Sequence, residues 1–171
     1  MKSKQSEYPP FLQWGWKSYD EKRVRGLDEF IERNKDTQFY VGTDSHQDAM
    51  KCKFTTVLIG YRLGKGGDII LHSDRTEIYS SLRQRLLMEA MRSLELAWYL
   101  DSKIPSSTFM AIHLDVNDNI IWKSGKYKDE LVGMVMAQGF VSGRDKFSKS
   151  NRRVYWKPDA WAANSVADKK T

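Results

Sequence analysis

TFMAIHLDV (108–116) is apolar almost without interruption until it meets Asp115, the pattern of a central strand buried on both faces. Before it, from about Thr76 to Leu100, Leu82, Leu86, Ala90, Leu94 and Trp98 recur at helical spacing. Ser81 and Gln84 stand where a capping box would open that helix, and Ile104-Pro105 closes it. Further upstream, QFYVGTDS (38–45), KFTTVLIGYRL (53–63) and DIILH (68–72) read as strands. GKGG (64–67) lacks the GxxxxGK[ST] spacing of a phosphate loop and leads into a strand, so it reads as a hairpin turn. Two short connections imply an antiparallel meander, and the strand, long helix and strand that follow imply a parallel crossover. The expected fold class is therefore α/β, with a mixed sheet (a three-strand antiparallel meander plus parallel strands) flanked by helices.

The remaining segments fit around that frame. YDEKRVRGLDEFIERNK (19–35) reads as a short helix with Val24, Leu27, Phe30 and Ile31 on one side. Residues 127–138 form another helix stopped by Gly139, and a short strand is expected around Val154–Trp156. Pro158 is placed to open a final helix, WAANSVAD (161–168). Residues 1–37 are read as an N-terminal extension whose short helix packs on the core, and 38–171 as the domain.

The 171 residues, 40% of them apolar, are enough for one domain and one sizeable core. Seven Phe, eight Tyr and six Trp argue against disorder, and the tryptophans could alternatively serve an assembly interface. No apolar run approaches the roughly 18 residues of a membrane span. The opening MKSKQSEYPPFLQWGWK has no apolar core, so no secretory signal is expected. Cys52 is the single cysteine, which excludes a disulfide framework and a CxxC zinc site. A reducing, cytoplasmic setting is the expectation.

The net charge of +6 lies entirely in the last third, since residues 1–38 sum to +1, 39–122 to −1 and 123–171 to +6. RDKFSKSNRR (144–153) carries five positive side chains, one negative and one aromatic. Such a run is either a solvated loop or the footprint of contact with a polyanion. On the second reading Arg144, Lys146, Lys149, Arg152, Arg153 and, just beyond, Lys157 would meet a phosphate backbone, with Phe147 or Trp156 available for stacking.

Asp44 ends the first meander strand and Asp115 ends the buried central strand. Singly, each suits a turn or cap. If their strands are adjacent and parallel, both lie at the sheet edge where α/β proteins bind ligands, and two aspartates there repel unless a cation or shared proton intervenes. At about 100° per residue Glu89 falls inside the apolar arc of its helix, where a lone carboxylate is costly; a pair with Arg85 one turn earlier is the alternative. Asp168 lies seven residues beyond Trp161 and shares its side of the last helix, unless that end frays. DVNDN (115–119) resembles a calcium loop, but Ile120 replaces the required glycine and Lys126 the bidentate acid. His46 and His113 are possible auxiliaries.

The GTDS strand end, the helix segment RQRLLMEAMRSLELA, the strand IHLDVN, the KP pair and WAANSVADK together resemble the YkuK family of ribonuclease H-like proteins over about Phe39 to Lys170. The resemblance implies a ribonuclease H-like fold. That fold places four carboxylates around two divalent metals, on the first strand, first helix, fourth strand and last helix; these map onto Asp44, Glu89, Asp115 and Asp168. The expected cofactors are two Mg²⁺ or Mn²⁺ ions, which favour oxygen ligands. The expected activity is two-metal phosphodiester hydrolysis on an RNA–DNA hybrid, RNA or DNA, with a non-catalytic nucleic-acid-binding module as the alternative.

Overall fold

In the computed structural model, which describes residues 12, 13 and 15–170, the elements in chain order are β1 (Trp16–Ser18), α1 (Leu27–Arg33), β2 (Gln38–Gln47), β3 (Cys52–Arg62), β4 (Gly66–Thr76), α2 (Leu82–Asp101), β5 (Met110–His113), α3 (Lys128–Met136), β6 (Val141–Ser142) and β7 (Arg152–Tyr155). β2, β3 and β4 form the expected meander. It is paired from Gln38↔Tyr61 to Gln47↔Cys52 and from Cys52↔Thr76 to Arg62↔Gly66. Asp48 makes the first hairpin, its carboxylate accepting from the N–H groups of Met50 (2.7 Å) and Lys51 (2.9 Å). Gly64 and Gly66, at φ 72° and 81°, make the second.

α2 then crosses the sheet, and β5 enters parallel to β2. Ser81 caps the helix by accepting from the Gln84 N–H at 3.2 Å. The reciprocal half of the capping box is not made, because the Gln84 side chain accepts from Ser80 instead. The seven-stranded order is β1-β4-β3-β2-β5-β7-β6, with β5, β6 and β7 running parallel and the meander antiparallel. The mixed sheet flanked by helices is thus as the sequence implies.

The larger core lies between one sheet face and the three helices, and includes Phe39, Val41, Met110, Ile112 and Val154 from the strands, Leu86, Ala90, Leu94 and Ala97 from α2, and Phe30 and Ile31 from α1. A smaller cluster (Val57, Ile59, Leu71, Ala162 and Ala167) covers the opposite face. This second face is closed by the C-terminal segment, whose last turn is tied to β3 by a bond from Lys53 Nζ to the Lys170 carbonyl (2.6 Å).

Four local expectations need correction. The helix read over 19–35 is confined to Leu27–Arg33: Glu21 is left-handed at φ 61°, a tight turn joins Ser18 to Arg23, and Val24 is solvent-exposed. Before that turn, Trp16–Ser18 pair with His72–Ile70 as an edge strand that the sequence reading lacks; Trp16 is fully buried there. Pro158 does not open a helix but sits in a turn, in which the Asp159 N–H donates to the Trp156 carbonyl (2.8 Å), and the final segment begins as a π-helical turn at Ala162–Ala167. The last core strand starts at Arg152 rather than Val154 and is joined by the two-residue β6. No helix among the described residues is long and apolar enough to cross a membrane.

Candidate active site

The parallel register of β2 and β5 runs from Phe39↔Met110 to Gly42↔His113. Asp44 lies two residues past Gly42 and Asp115 two past His113, so the two acids stand at the same level beyond the carboxyl end of the β2–β5 pairing. Asp115 has left β5, whereas Asp44 does not end its strand as the sequence suggests, because β2 runs on to Gln47 and Asp44 is paired there with Thr55 of β3. Glu89 reaches them from α2. That helix is fixed over β2 by a buried hydroxyl chain, Thr43 bonding to Ser93 (2.9 Å) and to Thr56 (3.1 Å), and over β4 by the two-pronged Arg92–Asp74 pair (2.5 and 2.8 Å). Asp44, Glu89 and Asp115 line one cleft of about 570 Å³, together with Ser45, Arg85, Asn117, Trp122, Lys123 and Lys157.

Burial first, and the nearby charge of Asp44 second, push the Glu89 carboxyl well above the usual carboxylate range; Asp115 adds to this, while the Ser45 hydroxyl and Arg85 oppose it. Ser45 Oγ donates to Glu89 Oε1 at 2.5 Å. The Arg85–Glu89 pair considered from the sequence is not formed as a contact. Among the described residues Arg85 makes no ion pair, and its Nε has no hydrogen-bond partner. Asp115 has a different neighbour: Lys157 Nζ stands 2.5 Å from its Oδ1. Lys157 is held in place by its own backbone N–H, which donates to the Val116 carbonyl (3.0 Å).

Oxygen-only donors, and three acids close enough that Asp44 and Asp115 both disfavour the charged form of Glu89, suit a hard divalent cation in chemistry and in charge. Among the described residues no three acidic, histidine or cysteine side chains come together closely enough to bind one. Asp115 would have to release Lys157 to take part. Asp168 begins a short 3₁₀ turn, Asp168–Lys170; its side chain lies outside the described residues.

A family model described as ribonuclease H-like matches residues 23–171, most of the chain. The chain belongs to the ribonuclease H-like family. The matching domain is that of the YkuK family, as the strand-end and helix motifs suggest. No curated protein and no solved structure matches it. Membership of the ribonuclease H-like family points to a function connected with nucleic acid.

The basic residues read from the sequence divide into two sets. Arg153 donates to four carbonyls of its own loop, those of Ser142, Asp145, Ser148 and Ser150. Arg152 binds Asp101 (2.7 Å) and the Thr108 carbonyl (2.5 Å). Arg144 pairs with Asp118 (2.7 Å) and lies 4.5 Å over the Trp156 ring, and Lys157 is on Asp115. Lys146 and Lys149 are exposed, and among the described residues neither makes an ion pair. Trp156 is 8% exposed and donates to Asp118 at 2.6 Å, so it offers no stacking face; Phe147 is 98% exposed.

The two histidines lie away from the cleft lining. His46 is exposed at the end of β2. His113 belongs to the opposite sheet face, where its ring meets those of Tyr40, Tyr155 and Trp161 and its Nδ1 accepts from the Ala162 N–H at 2.9 Å. Desolvation lowers its pKa to about 3, so it is a neutral fastener of the C-terminal segment. The sequence reading missed Ser45, Asn117 and the rim Ile121-Trp122-Lys123. The consecutive Ile120-Ile121-Trp122 inside a polar loop was the available signal.

Proposed function

We propose that the cleft is the active site of a metal-dependent nuclease that hydrolyses phosphodiester bonds of a nucleic acid. The observation that carries this reading is the convergence of Asp44, Glu89 and Asp115, from two strands and a helix, on one cleft, where burial and the neighbouring Asp44 raise the Glu89 carboxyl well above the usual carboxylate range. Asp44, Glu89 and Asp115, with Asp168 as the fourth acid, would hold Mg²⁺ or Mn²⁺. Two such ions would supply activation of a water and charge stabilisation of the leaving oxygen. The chain itself supplies the rest. Ser45 orients Glu89, Lys157 neutralises Asp115 until substrate and cation arrive, and Arg85, which makes no ion pair among the described residues, offers its guanidinium to a phosphate.

The contact between Lys157 and Asp115, with no tight metal cluster among the described residues, favours a second reading: a nucleic-acid-binding module that keeps the fold without the catalysis. Cleavage of single strands, RNA–DNA hybrids, duplexes and branched DNA by wild type, Asp44→Asn and Asp115→Asn, with and without Mg²⁺, separates the two. Metal-dependent cleavage by the wild type that both substitutions abolish supports the nuclease. If the wild type cuts none of these, or the variants cut as well, the nuclease reading fails and salt-dependent binding alone remains.

A further inference from the structure

Residues 117–124 form the outer rim of the carboxylate cleft, and they are unusual in what they expose. Ile120, Ile121 and Trp122 are 78%, 77% and 59% exposed, three large apolar side chains in succession. The loop that carries them is not loose. Asn117 donates from its backbone and side-chain nitrogens to Ser124 Oγ (3.3 and 3.4 Å), Ile121 N–H to Asn119 Oδ1 (3.0 Å), and Gly125 N–H to the Trp122 carbonyl (3.0 Å). Gly125 lies so close beneath it that a Cβ there would stand 2.1 Å from the Asn119 carbonyl oxygen. Asp118 is clamped by Arg144 and Trp156. A held loop that presents a contiguous apolar surface to water marks an interaction site.

The chemistry of the partner follows from what surrounds the patch. Ile121, Trp122 and Lys123 also line the carboxylate cleft, so whatever occupies the cleft runs over this loop. Lys123 is exposed beside Trp122. The Asp118–Arg144 pair ties the loop to the second exposed loop, which bears Lys146, Phe147 and Lys149. Apolar and aromatic side chains mixed with a few cations match nucleic acid whose bases are unpaired. A duplex hides its base faces in the stack and offers phosphates, whereas a single strand offers faces on which an indole can stack. A surface for duplex alone would need more free cations, and Arg144, Arg152, Arg153 and Lys157 are engaged within the chain.

We infer that the 117–124 loop is a stacking platform for unpaired bases, which makes the substrate single-stranded or locally opened nucleic acid. The inference rests on the reading of the cleft as a nucleic-acid site, but it concerns binding and can be tested without catalysis. Labelled DNA and RNA oligonucleotides of about 15 nucleotides, single-stranded and as blunt duplexes of the same sequence, are titrated with the full chain in EDTA and followed by fluorescence anisotropy. The wild type is expected to bind single strands at least about tenfold more tightly than duplex. Trp122→Ala should weaken single-strand binding by about tenfold and leave duplex binding unchanged, and Trp122→Phe should restore most of the loss.

Equal affinity for duplex, or a Trp122→Ala variant that binds single strands as the wild type does, overturns the inference. So does self-association lost in Trp122→Ala with no affinity for oligonucleotide, which assigns the patch to a second copy of the chain. Single-strand binding through Trp122 without metal-dependent cleavage keeps this inference and removes the nuclease. Cleavage of duplex by wild type and Trp122→Ala alike does the reverse.

Discussion

Lys157 Nζ lies 2.5 Å from Asp115 Oδ1, with the two side chains 27% and 14% exposed. The contact is ionic rather than a well-aligned hydrogen bond, since that oxygen has no hydrogen-bond donor by geometry. It joins a residue two positions past β7 to one two positions past β5, and sets a positive charge directly against one of the three cleft acids. Lys157→Met should lower stability by about 1–3 kcal/mol, because it leaves Asp115 half-buried without a counter-charge. The loss should largely disappear in the double variant with Asp115→Asn. Urea denaturation of the two single variants and the double one provides the cycle; additive losses would mean that the pair is not coupled.

Asp44→Asn tests the cation directly. If Asp44 is a ligand, millimolar Mn²⁺ raises the melting temperature of the wild type and not that of the variant. Cation at about 100 times its dissociation constant stabilises the folded state by about 2.7 kcal/mol. Differential scanning fluorimetry across a Mn²⁺ series reads this, and equal shifts in the two proteins would exclude Asp44.

His113 predicts a pH dependence. Its folded pKa of about 3 lies below the ordinary 6.5 because it is buried away from water. The folded state therefore binds fewer protons than the unfolded chain, so the associated stability is complete above about pH 6.5 and lost as pH falls toward 3. At about pH 5 the loss is about 2 kcal/mol. His113→Asn, which can still accept from the Ala162 N–H, should lose about that much less than the wild type between about pH 7 and pH 5. Denaturation curves at the two pH values give the comparison, and parallel losses would contradict the assignment.

Arg153→Lys should act on the basic loop rather than on phosphate contact. A guanidinium reaches four carbonyls between Ser142 and Ser150, and an ammonium has neither the donors nor the planar fork to replace it. The loop should then open, and trypsin should cut after Lys146 and Lys149 several-fold faster than in the wild type. Unchanged cleavage rates would show that the loop is ordered by other contacts.

Much of the fold was legible because it is written in short-range patterns. The β-branched and aromatic run of β3, the unbroken apolar stretch of β5 and the 3.6-residue repeat of α2 each determine an element without reference to the rest of the chain. The N-terminal helix was overextended because helical spacing continues upstream of Gly26, while the tight turn at Ser18–Arg23 and the pairing of Trp16 with His72 depend on an edge of the sheet that only the assembled protein presents. The π-helical end was misread for a related reason: Pro158 suits a first helical turn locally, but packing onto the second sheet face begins at Ala162.

The candidate site divides in the same way. Periodicity and strand ends pointed to Asp44, Glu89 and Asp115 because each position follows from its own element and the crossover rule. The partners of each charge did not follow. That Lys157 stands on Asp115, that Arg153 holds a loop and that His113 faces away from the cleft are through-space facts between residues that are distant in the chain or on opposite sides of a strand. The sequence by itself determined the order of elements from β2 to α3 and where along them Asp44, Glu89 and Asp115 fall, since local sterics and hydrophobic period act over a few residues. Only the tertiary structure decided which charges are neutralised and which stay available, because electrostatic and hydrogen-bond partners are set by distance in space, and chain separation does not encode it.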